Sequence, residues 1–180
     1  MTQVGRQHTR WLFVVALVLL SAALARAEAV PALSQRESAS RFGTIEIARD
    51  EADDTRHRLY FNQKEIFQYE GLTMDILKVF HSTERDYVIL ATYSGSIACP
   101  AQVVIVELTA SRGYTVSEEF GSCSDLIKAE LVKDAVMVEM PRYAAHPELL
   151  PKRELRSIMK TKEVYTWSQG KLVKKRLPDS

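Results

Sequence analysis

Apolar side chains fall along this chain in short runs separated by polar turns. Residues 87–93 (YVILATY) and 102–108 (QVVIVEL) are rich in β-branched and aromatic side chains and have no 3.6-residue repeat. Both predict strands, and both are apolar enough to predict a central position in a sheet. Other segments alternate. Ile45 and Ile47 share one face of 42–48, and Leu72, Met74 and Ile76 alternate ahead of Val79 and Phe80. Three hairpins are expected. Segments 58–61 and 65–69 flank Asn62, Gln63 and Lys64, segments 126–132 and 135–140 flank Lys133 and Asp134, and segments 164–167 and 171–175 flank Ser168, Gln169 and Gly170. Residues 81–86 read as a polar break, residues 109–113 as a turn, and Pro141 as a strand end.

One stretch differs. Within 146–160, good helix formers begin at Pro151, and Leu155, Ile158 and Met159 stand at helical spacing, so a short helix is expected over 151–160. No βα alternation is present to build a parallel sheet. The pattern predicts a mainly β fold: a single antiparallel domain over 41–178, as a sandwich, a barrel or a bent meander, with one short helix near the C-terminus. RLYFNQKEIFQ (58–68) and VYTWSQGKLVK (164–174) each read as an aromatic strand, a polar turn and a second strand. Two copies do not establish a repeat architecture, and the likeness reads as chance.

The N-terminus has a different pattern. Arg6 and Arg10 precede an uncharged, mostly apolar run over 11–25, and Ala25, Arg26 and Ala27 place small residues at the positions a signal peptidase requires. A spanning helix needs about 20 apolar residues, and this run has 15. Residues 1–27 are therefore expected to be a cleaved signal peptide, with no membrane span afterwards, and 28–40 (EAVPALSQRESAS) a flexible leader. No cysteine follows the apolar run to accept lipid. The protein is expected to be periplasmic or secreted.

Export changes the reading of charge. The whole chain has a net charge of +1, but residues 28–180 carry 21 basic and 23 acidic side chains. The balance is uneven: nine Lys or Arg against three Asp or Glu over 151–180 leave a net −8 on 28–150. An acidic body with a basic tail does not read as a nucleic-acid binder. The tail reads first as a solvated face, and otherwise as a contact for an acidic partner or an anionic surface.

Cys99 and Cys123 are the only cysteines. In an oxidising compartment an isolated pair is expected to be a disulfide. The spacing is neither the C-x-x-C of a redox pair nor that of a four-ligand zinc site. Around the pair, Tyr93, Ser94, Gly95 and Ser96 lead into Cys99 and Pro100. Phe120, Gly121, Ser122, Cys123, Ser124 and Asp125 follow, and Met140 and Pro141 end a strand. These roughly 50 residues resemble a segment of uncharacterised exported proteins of proteobacteria, whose pattern is Y-S-G-G, then C-P, then S-x-x-F-G-x-C-S-D and a strand ending in M-P. Ser96 departs from that pattern at the second Gly. The resemblance implies a shared disulfide-bonded β core and brings no activity with it.

Candidate chemistry is sparse. Ser94, Ser96, Ser122 and Ser124 lack a G-x-S-x-G elbow, and His57, His81 and His146 stand in turn-like or charged sequence. Ser157 to Lys160 fits S-x-x-K without its companion motifs. The acidic cluster from Asp50 to Asp54 lacks the calcium-loop pattern and reads as a solvated turn. Tyr165 and Trp167 could form a binding platform, but alternation gives at least one of them a core role. No cofactor or metal fingerprint is present.

The expected function is that of an exported, non-enzymatic binding or interaction protein with a protein partner in the cell envelope, possible forms being a periplasmic inhibitor or an immunity-type protein. The alternatives are a small periplasmic hydrolase with a Ser/His site and an envelope structural or assembly factor. The expected interaction surface comprises Tyr93, Ser94, Gly95, Ser96, Phe120, Ser124 and Asp125, on loops preorganised by the Cys99–Cys123 bridge. The oligomeric state is left open.

Overall fold

In the computed structural model, the described residues are 37–178 except Arg112, with the side chains of Met159, Arg176 and Pro178 also outside the description. The expected signal peptide and residues 28–36 of the expected leader lie outside it. Twelve strands form three four-stranded antiparallel sheets, each a simple meander. The first sheet holds β1 (Glu37–Ser40), β2 (Gly43–Arg49), β3 (Arg56–Phe61) and β4 (Lys64–Glu70). The second holds β5 (Thr73–His81), β6 (Arg85–Tyr93), β7 (Ala101–Thr109) and β8 (Gly113–Val116). The third holds β9 (Lys128–Val132), β10 (Ala135–Pro141), β11 (Thr161–Ser168) and β12 (Lys171–Pro178). A helix, α1 (Lys152–Met159), lies against β11 within the β10–β11 connection. The fold is mainly β with one short C-terminal helix, as the pattern predicts.

The middle sheet explains why YVILATY and QVVIVEL are almost continuously apolar. One face of it carries Val88, Leu90, Val104 and Val106 against Ile45, Ile47, Leu59 and Phe61 of the first sheet. The opposite face carries Tyr87, Ile89, Val103 and Ile105 against Val136, Val138, Tyr165 and Trp167 of the third. Strands covered on both faces have no polar side to alternate with, whereas the outer sheets alternate buried and solvated positions.

Two sequence expectations change. Glu37–Ser40, the end of the expected leader, pairs with β2 as strand β1. Residues 113–116, at and beyond the expected turn, form the short edge strand β8 on β7. The look-alike segments occupy equivalent places, as the third and fourth strands of the two outer sheets. Their turns match in conformation: Asn62 and Gln63 have φ of 49° and 66°, and Gln169 and Gly170 have 53° and 76°. Positive φ at both central residues suits the twist of a two-residue hairpin.

In every sheet the first and third connections are tight turns, and the second is a longer loop (50–55, 94–100 and 142–160). A meander places alternate connections at opposite ends, so the stack has a turn rim and a loop rim. Side chains tie the sheets together at the turn rim. Asp86, the last residue of the expected polar break, is fully buried. It accepts hydrogen bonds from the Arg41 backbone N–H (2.6 Å), from Arg41 Nε (2.8 Å), and from His81 Nδ1 (2.9 Å). Burial pushes the Asp86 carboxyl up, but the bonds from Arg41 and His81 outweigh it and hold the pKa below the ordinary carboxylate value. Glu107 accepts from Arg85 Nη1 (2.9 Å), Trp167 Nε1 (2.9 Å) and the Gly170 N–H (3.2 Å), which joins the second sheet to the third.

Candidate functional site

The loop rim is built around the Cys99–Cys123 disulfide, whose Cα atoms are 4.5 Å apart across a sequence separation of 24. The bridge ties the β6–β7 loop to the connection that leads from the second sheet to the third. Two local features let the chain reach it. Gly121 has φ of 145°, and a Cβ there would come within 3.0 Å of the Met140 sulfur, which belongs to a fully buried side chain. Cys123 itself adopts φ of 71°, in the left-handed region that few non-glycine residues enter.

The serine hydroxyls of the rim bond to backbone. Ser94 Oγ donates to the Cys99 carbonyl at 2.6 Å and accepts from the Ser96 N–H at 3.0 Å. Ser96 Oγ accepts from the Ala98 N–H at 3.1 Å, and Ser124 Oγ accepts from the Leu126 N–H at 3.2 Å. Ser122 Oγ donates to the Pro141 carbonyl. Such bonds satisfy loop amides that have no ladder partner. Two contacts from outside the bridged loops fix them further: the Leu72 N–H donates to the Tyr93 carbonyl at 2.7 Å, and Tyr143 Oη donates to the Ile97 carbonyl at 2.8 Å.

The structure brings the expected interaction residues together but not all to the surface. Ser94, Gly95, Ser96 and Asp125 are exposed, and Tyr93 is half-buried. Burial, with Asp75 and Asp125 nearby, pushes the Tyr93 phenol pKa up. Phe120 is buried, pairs with Val103 and packs its ring 4.9 Å from that of Tyr165, so it serves the core. Ser124 is buried as well. Their expected exposure is thereby corrected: the chain after β8 runs back along β7 before reaching the bridge, and this turns both side chains inward.

In their place the rim presents aliphatic side chains that sequence reasoning passed over. Leu72 is 65% exposed, Ile97 68% and Leu126 68%. Leu72 touches the bridged loop, since its Cβ lies 3.4 Å from where a Gly95 Cβ would be. Ile97 lies between Ser96 and the bridge, and Leu126 follows Asp125. Leu72 and Leu126 read as the first apolar positions of strand segments, and only Ile97 stands alone between turn residues, so the sequence carried no signal that the three are exposed. Asp125, exposed, adjoins Leu126, and the same connection carries the exposed acids Glu118 and Glu119, of which Glu119 accepts from Thr92 Oγ1 at 2.8 Å.

The other candidate groups are engaged elsewhere. His57 is buried, with Nε2 3.2 Å from the Leu72 carbonyl and its ring stacked on Tyr69. His81 binds Asp86, and His146 binds Glu148. Asp50 pairs with Arg58, Asp53 with Arg56, and Asp54 with Arg49. No group of three metal-ligating side chains occurs among the described residues. Ser157 and Lys160 lie exposed at the end of α1. Tyr165 and Trp167 are core residues. A cleft of 760 Å³ opens on the turn rim beside Arg41, Phe42, Glu84, Arg85, Glu107 and Ser111, and of its charged groups Arg41, Arg85 and Glu107 take part in the bonds that join the sheets. Among the described residues no helix is long and apolar enough to cross a membrane. No protein-family model matches the chain, and no curated protein or solved structure matches it.

Proposed function

We propose that the protein is an exported, non-catalytic interaction module that seats a protein partner of the cell envelope on its loop rim. The observation that carries this reading is the exposure of Leu72, Ile97 and Leu126 around loops closed by a disulfide and by their own hydroxyl bonds. Single exposed aliphatics are ordinary, but several gathered on one braced surface mark a contact site. Loops held in place before binding lose little entropy on binding. The adjoining Asp125 suits a partner with an apolar knob and a basic residue beside it, and complementary charge of this kind speeds encounter and fixes orientation. An inhibitor or immunity-type protein is the concrete form this takes, because such a role needs only a stable scaffold and a presented loop. The hydrolase reading has less support, since the rim serines bond backbone groups, while His57 bonds a backbone carbonyl and His81 and His146 bond the carboxylates of Asp86 and Glu148.

The test is a photo-activated cross-linking residue placed at position 97 or 126 and, as controls, at 83 or 111 on the turn rim, in cells that export the protein. The same cross-linked species is expected from both loop-rim positions and from neither control. Capture from both rims alike, or from the turn rim alone, contradicts the assignment.

A further inference from the structure

The two outermost faces of the stack differ in a way that neither core requires. On the first sheet, register places Glu46, Tyr60 and Glu65 in one outward row and Ala48, Arg58 and Gln68 in the next, with Arg56 and Glu70 beyond. That face is polar and laced with ion pairs, Arg58 to Asp50 and Glu65, and Arg56 to Glu70. On the third sheet the outward rows are Glu130, Met137, Thr166 and Val173; then Lys128, Glu139, Val164 and Lys175; then Pro141, Lys162 and Leu177, with Val164 on β11 buried and the exposed positions gathered on β9 and β12. Lys171 opens the same outward set on β12, and Val132 closes it on β9. Val132 is 46% exposed, Val173 63% and Leu177 37%. Lys162 and Lys128 lean on Glu139 and Glu130, while Lys171 and Lys175 are exposed and make no ion pair among the described residues.

From this face we infer a second contact: the β12 side of the outer face of the third sheet rests on an anionic phospholipid surface. Along β12 the outward positions read Lys171, Val173, Lys175, Leu177, a strict alternation of cation and aliphatic. Aliphatic side chains enter the boundary between headgroups and acyl chains, while lysine stems lie along it and raise their ammonium groups to the phosphates. Lysines repeated along the whole of an edge strand, with aliphatics between them, match a laterally continuous field of phosphates better than one acidic peptide. The wider charge distribution points the same way, because the net +6 of residues 151–180 opposes the net −8 of 28–150 and orients the molecule in the field of an anionic surface.

The experiment uses the Ser34–Ser180 unit, a compact body that contains both cores and lacks the apolar run at 11–25. It is sedimented with vesicles of phosphatidylglycerol and phosphatidylcholine, and separately with phosphatidylcholine alone. Binding is expected only to the anionic vesicles, and it should weaken as salt rises. Lys171→Glu and Lys175→Glu should each weaken it at least fivefold, about the effect of 1 kcal/mol per basic residue near such a surface. Val173→Ser should weaken it too, while Gln68→Glu on the first sheet and Ile97→Arg on the loop rim leave it unchanged. The Ile97 control keeps this result separate from the fate of the loop-rim reading. All these positions are exposed, so unchanged melting temperatures verify folding. The proposal is overturned if anionic vesicles are not bound, or if the lysine variants bind as well as the parent. Self-association that Lys175→Glu abolishes, without vesicle binding, assigns the face to a second copy and overturns it equally, and so does binding confined to acidic proteins.

Discussion

At the turn rim the three sheets are joined by side chains reaching inward, Arg41 to Asp86 and Arg85 to Glu107 to Trp167, so that the polar groups there spend their bonding capacity on the fold. At the loop rim the joint is covalent, and the polar groups satisfy nearby backbone. That leaves aliphatic side chains pointing out. A rim whose joining charges are consumed internally offers those groups to no partner, whereas a rim fixed by its own backbone can present side chains that the fold does not need. The contrast predicts that the two rims respond to different perturbations.

The largest effect should come from opening the bridge. Replacing both Cys99 and Cys123 by Ala frees a loop of about 25 residues, which the chain-entropy model values at about 3.5 kcal/mol. The melting temperature should fall by about 7–14 °C. Amide exchange should rise first over 94–100 and 121–127 and stay low near Asp86. An even loss of protection over both rims would dissolve the comparison.

A smaller loss is expected from the turn rim. Asp86→Asn keeps the shape but removes the charge that Arg41 and His81 address, at about 2 kcal/mol, and it should leave partner capture at position 97 intact. Its pH dependence follows from the depressed carboxyl. Because the folded pKa lies below the ordinary value of 3.8, Asp86 stabilises fully above about pH 4 and loses that contribution as pH falls toward the folded pKa. Melting curves of parent and Asp86→Asn should therefore be well separated at pH 7 and converge below about pH 4. A constant gap down to the most acidic point would show that the charge of Asp86 is not what joins the sheets.

The smallest change in stability should come from Ile97→Arg and Leu126→Arg, within about 0.5 kcal/mol because both side chains are largely solvated. Marked destabilisation of either would mean that the aliphatics pack within the fold and are not available to a partner.

Much of this was legible in the sequence. Period-two runs and turn residues marked most of the strands, and two lone cysteines in a chain read as exported marked the bridge. The stacking of three sheets was not legible, since Tyr87 and Val88 look alike in sequence yet face different neighbours. Asp86 read only as part of a polar break because its partner Arg41 lies 45 residues away. Phe120 and Ser124 were placed at the surface because nearness to a cysteine says nothing about which side a chain turns as it leaves an edge strand. The short β8 carries too few alternating positions to stand out. The same limit hid Leu72, Ile97 and Leu126, whose importance lies in being gathered by three separate connections.

The most direct test of the interaction surface is the affinity of the captured partner for four purified forms of the protein, measured by titration calorimetry at one temperature. The parent and Thr83→Arg on the turn rim should bind alike. Ile97→Arg should bind at least tenfold more weakly, since an apolar contact residue becomes a buried or displaced charge, equivalent to about 1.4 kcal/mol. The double Cys→Ala form should also bind more weakly, with a larger entropic penalty, because its loops must be ordered on binding. Unchanged affinity in folded Ile97→Arg, together with a loss in Thr83→Arg, would move the partner to the opposite rim and contradict the account.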